Sequence, residues 1–136
     1  MCGLLHDVGV PVLLQAACDR LPDVAQRRAD VLAVVDDLHA SVGGDLVRAW
    51  HLPDRIAAAV SEHHAGPAEQ LACIVALADH LADLCGAGAI DAPALEAEVL
   101  AHDTAARLNL YDDDVTAIVQ RHDAISGTCA ATGGAS

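Results

Sequence analysis

Residues 38–64 read LHASVGGDLVRAWHLPDRIAAAVSEHH, and this stretch decides the fold. Leu38, Val42, Leu46 and Trp50 recur every fourth residue, the spacing that lines side chains along one face of an α-helix. That helix is expected to stop at Leu52, because the residue before Pro53 avoids the α region. Pro53 opens the next helix. Ile56 and Val60 share a face there, and His63 and His64 fall on its continuation, so the histidine pair is expected to face inward. Trp50 continues an aliphatic stripe and reads as a packing anchor. Gly43 and Gly44 each weaken their helix by about 1 kcal/mol relative to alanine, which close packing beside His39 would offset.

The helical period extends in both directions. Upstream, Val10–Leu21 is expected to be helical after Pro11, and Val24–Asp37 forms a helix carrying Val31, Leu32, Val34 and Val35. Downstream, Ala68–Cys85 carries Leu71, Ile74, Val75, Ala78, Leu81, Ala82 and Cys85 on a broad buried face, with Gly86 and Gly88 as stop signals. Asp91 and Pro93 start a shorter helix through Val99 and Leu100. Asp112 to Asp114 open a last one with Val115, Ile118, Val119 and His122, their charge complementing its N-terminal dipole. Residues 126–136 lack periodicity and read as a flexible tail. The expectation is one all-α domain over 1–125, built from about six to seven helices.

Composition narrows the function. The 136 residues suit a single domain, and 54% hydrophobic residues with a mean hydropathy of +0.35 exclude intrinsic disorder. Phenylalanine is absent and Trp50 and Tyr111 are the only aromatic residues, which removes a stacking platform for single-stranded nucleic acid. Seven basic residues, all arginine, against 20 acidic ones give a net charge of −13, which repels phosphate backbones and anionic lipid. Direct nucleic-acid binding and membrane insertion are therefore not expected. The longest uncharged run ahead of the tail, Val8 to Cys18, contains Pro11 and is far short of the roughly 20 apolar residues a span requires. A secretory signal is not visible, and a cytoplasmic location is expected. Five widely spaced cysteines without a CxxC pair read as reduced thiols, Cys73 and Cys85 as small buried hydrophobes.

The eight histidines carry the chemistry. His6 and Asp7 are adjacent at the end of an apolar segment, and Gly9 lets the chain turn while both stay near the core. His39 lies on the stripe helix, and His63 and His64 end the following one. Asp79 is an acid embedded in a face expected to be buried, which is costly unless something satisfies its charge. Imidazoles and carboxylates together suit iron, manganese or zinc better than the all-oxygen shells of magnesium or calcium. His51, His80, His102 and His122 read as solvated or interfacial.

Three segments, GLLHDVG at 3–9, HASVGGDLVRAWHLPDRIAAAVSEHH at 39–64 and IVALADHLADL at 74–84, closely resemble the HDOD domain, a relative of the HD and HD-GYP phosphohydrolases. The resemblance covers about Gly3 to Leu84. It implies an HD-like helical fold and a metal pocket of His6, Asp7, His39, His63, His64 and Asp79. Were the pocket active, His6, Asp7, His63 and His64 would carry catalysis, as in relatives that attack a cyclic dinucleotide or nucleotide.

Departures from the enzymes favour a regulatory reading. The GYP segment is absent after the histidine pair, and Val10 stands where the enzymes carry lysine, leaving Arg48 and Arg55 as candidates to face a phosphate. The family's upstream helices do not fit ahead of a doublet at residues 6 and 7, so the expectation is an N-terminally truncated, bacterial-type domain with a tendency to self-associate. The resemblance implies a signal-transduction module with a retained but non-catalytic metal pocket, whose partner is a signalling protein or a small nucleotide.

Overall fold

The computed structural model describes residues 1–66, 69–86 and 90–132. All of its regular structure is helical, with no strand among the described residues. In chain order the helices are α1 (Cys2–Leu5), α2 (Gly9–Arg20), α3 (Arg28–Ala49), α4 (Asp54–Glu62), α5 (Gln70–Gly86), α6 (Ala92–Ala101), α7 (Asp103–Arg107) and α8 (Asp112–Thr132). The chain is described as two compact units, Met1–Ala78 and Asp79–Ser136, and α5 contributes residues to both.

In the first unit α3 is the central element, packing against α2 and α4, while α1 lies against α4. The two helices expected over 24–37 and 38–52 are one, since nothing between Asp37 and Leu38 breaks the backbone pattern. Pro11 is the third residue of α2, where its missing N–H has no partner to lose. The packed face of α3 is Val35, His39, Gly43, Gly44 and Val47, one step around from the expected stripe. A Cβ on Gly43 would lie 2.9 Å from Cγ1 of Val60, and one on Gly44 2.7 Å from Cβ of Ser61. The glycine pair thus brings α3 and α4 together, as expected. Val47, Ile56, Ala57 and Val60 form one core cluster, with Cys2, Leu5 and Leu52 at its edge. Burying each such valine or isoleucine contributes about 1.5–3 kcal/mol.

Helix α3 ends at Ala49, three residues before the expected Leu52. His51 adopts the left-handed conformation, φ 57°. Its N–H donates to the carbonyl of Arg48 (2.9 Å) and that of Leu52 to the carbonyl of Val47 (3.1 Å). This pair of bonds is the Schellman ending, with histidine where glycine is usual, and Leu52 packs back on the Val47 cluster as that ending favours. Trp50, expected to anchor the core, is 50% exposed.

On α5 the buried residues of the first unit are Ala72, Cys73, Val75, Ala76 and Leu77. Ile74 is 49% exposed, so the buried face is rotated from the expected one. Cys73 is buried and Cys85 half-buried, and Cys2, Cys18, Cys73 and Cys85 are reduced thiols; the side chain of Cys129 lies outside the described residues.

In the second unit α6 packs against α7 and α8 around Leu95, Val99, Ala105, Val115 and Val119. Asp91 caps α6 by accepting from the Ala94 N–H (2.9 Å), and Asp114 accepts from the Tyr111 N–H (3.1 Å), so both acid-led starts stand where expected. The short α7 has no counterpart in the sequence reading. Residues 126–132, expected within a flexible tail, continue α8; the alanines there favour helix, and a single glycine at 127 does not end it. Ala68, Gly88 and residues 133–136 lie outside the described residues.

Candidate metal centre

His6 follows α1 directly, and Asp7 stands in the turn before α2. His39 is in mid α3, and His63 and His64 close α4. Gly9 joins the first pair to the third. A Cβ there would collide with the backbone carbonyl of His39, so this glycine serves close approach of α2 to α3, where the sequence reading gave it a turn. Asp7, two residues earlier, is thereby held over the imidazole of His39.

The carboxylate of Asp7 is the focus of the cluster. One oxygen is 3.2 Å from Nε2 of His6; the other is 3.5 Å from Nε2 of His39 and 3.9 Å from Nε2 of His63. His39 and His63 are 4% and 2% exposed, whereas the Asp7 side chain is 53% exposed, so the centre has a buried floor and an open side. His64 is exposed, yet its Nε2 stands 3.1 Å from Nε2 of His39. Of the pair expected to face inward, His63 does so and His64 reaches in from the rim. One ring nitrogen from each of His39, His63 and His64 falls within 4.8 Å of the others.

The opposite ring nitrogens settle the tautomers. Nδ1 of His6 donates to the carbonyl of Gly3 (3.1 Å), that of His39 to Asp36 (2.8 Å), and that of His63 to Val60 (2.7 Å). A carbonyl only accepts, so each Nδ1 carries the hydrogen, and in the neutral ring each Nε2 presents a lone pair. Three lone pairs therefore face a carboxylate. Acceptors turned on one another repel unless positive charge stands among them, and imidazoles held at Nδ1 by a backbone carbonyl are oriented as metal ligands are. The donor set fits a borderline divalent cation. The three carbonyl acceptors are what the sequence reading missed; each lies three residues before its histidine, but so does a carbonyl before any histidine, and no signal in the sequence marks them.

Asp79 is half-buried on α5 as the first residue of the second unit. Arg48, considered for a phosphate, is paired with Asp45 at 3.0 Å on the exposed side of α3, and Arg55 is exposed. His51 is exposed, as expected, and His80 and His102 adjoin one another, their ring centroids 4.7 Å apart.

Comparison with known families decides the affiliation of this part of the chain. The family profile of the HDOD domain matches residues 1–66. These residues belong to the HDOD domain family. The matched HDOD stretch contains His6, Asp7, His39, His63 and His64, and Asp79 lies beyond it. Neither the curated proteins nor the solved structures give a match. No helix is long and apolar enough to cross a membrane among the described residues.

Proposed function

We propose that this HDOD protein is a cytoplasmic signal-transduction module that keeps a metal-holding pocket without turning over a substrate. A divalent cation, iron, manganese or zinc, is held by His6, Asp7, His39, His63 and His64; Asp79 is the further ligand implied by the HD-superfamily resemblance. What carries this reading is the aim of three imidazole lone pairs at the carboxylate of Asp7, with the opposite ring nitrogens fixed by backbone carbonyls. A bound cation supplies Lewis acidity and can activate water. The chain's own residues orient it, leaving the exposed Asp7 and His64 side open to a small nucleotide or a signalling partner.

Metal analysis of the purified protein tests the pocket. One of the three metals is expected at stoichiometric content, falling by more than tenfold in Asp7→Ala and in His39→Ala. Protein that stays metal-free after equilibration with each cation rules the pocket out. Hydrolysis of a cyclic dinucleotide that disappears in His63→Ala would replace the regulatory reading with the phosphohydrolase one.

A further inference from the structure

The second unit contains a titratable group in a structural role. His102 ends α6 and immediately precedes α7. Its Nδ1 accepts two hydrogen bonds from Thr104, one from the hydroxyl at 2.7 Å and one from the backbone N–H at 3.3 Å. Histidine thus occupies the capping position usually held by serine, threonine, asparagine or aspartate. Thr104 is 1% exposed, so water does not replace a lost partner there.

These bonds specify a protonation state. Nδ1 accepts only while it carries no hydrogen, so the capping form is the neutral ring with its proton on Nε2. On protonation Nδ1 becomes a donor. The Thr104 hydroxyl can turn and accept from it, but the backbone N–H cannot, and two N–H groups then oppose one another. The groups acting on the charge of the ring are His80 on α5, which opposes a second positive charge, and Asp103 on α7, which favours it. Burial and His80 outweigh Asp103, and His102 titrates below the ordinary imidazole value of 6.5.

We propose that His102 is a proton-sensitive cap that holds α7 in its neutral form and releases it when charged. The device consists of the ring, the buried Thr104 and the single turn Asp103–Arg107. With so short a helix, one lost cap bond is a large share of what fixes it. Because the folded ring resists protonation, its contribution to stability is complete above about pH 6.5 and is lost as the pH falls through the lower, folded value.

The test is an NMR titration of the full chain, following the imidazole of His102 and the exchange of the Thr104 amide. The expected result is a His102 midpoint below the ordinary imidazole value of 6.5, with the protection of the Thr104 amide, taken against its intrinsic exchange at each pH, falling about tenfold or more over the same range. His102→Asn, whose carboxamide oxygen caps without titrating, is expected to remove this loss of protection, and His80→Ala to raise the midpoint. The idea is overturned if the Thr104 amide keeps its protection through the His102 midpoint, or if His102→Asn shows the same acid response as the parent. Should His102→Asn not fold, the comparison of midpoint and protection in the parent protein decides.

Discussion

At Gly9 the absence of a side chain is a packing requirement. Glycine within a helix ordinarily costs about 1 kcal/mol relative to alanine, so exposed sites gain from Gly→Ala. Here the first carbon of a side chain would meet the carbonyl of His39. A backbone carbonyl cannot rotate aside as a side chain can, so α2 must move away from α3 and take Asp7 with it. Gly9→Ala is expected to destabilise the protein by about 2 kcal/mol, within the range for overpacking, and to weaken metal binding. Urea unfolding together with metal titration measures both; a gain in stability would show that the close approach of α2 and α3 carries no weight.

At the level of the helix, α3 shows what a sequence discloses and what it conceals. Its helical character and its α4 neighbour were legible, because apolar residues recur at helical spacing and Pro53 separates the two, but not that 28–49 is one helix. Its orientation was not. The packed face consists of His39, Gly43 and Gly44 between Val35 and Val47, small or polar residues that bring α2 and α4 close. Leu38 and Trp50, the residues hydropathy selects, are left at the rim, 39% and 50% exposed. The same applies to Ile74 on α5. In the candidate site the histidines themselves were legible, whereas the exposure of His64 and the carbonyls behind each Nδ1 depend on side-chain direction, which spacing does not encode. Trp50→Ala provides the check. A buried tryptophan costs about 3–5 kcal/mol on truncation; at this rim position about 1 kcal/mol is expected. Because Trp50 is the only tryptophan, unfolding of this variant is followed by circular dichroism, and a loss above about 3 kcal/mol would restore its role as an anchor.

For the whole chain, a net charge of −13 attracts any cation, so metal-dependent stability has two physical sources that must be separated. Diffuse attraction to the acidic surface is set by ionic strength and decays over about 8 Å at physiological salt; it treats magnesium and calcium like any other divalent ion. Binding by imidazoles does not, because those cations prefer oxygen shells. A cation held by His6, Asp7, His39, His63 and His64 stabilises the folded form by mass action, about 2.7 kcal/mol when free metal is 100 times its dissociation constant. Trp50 belongs to the same compact unit as these ligands, so its fluorescence reports unfolding where the metal is proposed to act. Zinc or manganese is therefore expected to raise the unfolding midpoint of that signal in proportion to the logarithm of its free concentration. Magnesium at equal ionic strength should leave it nearly unchanged, and Asp7→Ala should abolish the zinc or manganese effect. If magnesium and zinc shift the midpoint equally, or Asp7→Ala responds like the parent, the surface charge accounts for the whole effect and the five side chains hold nothing in common.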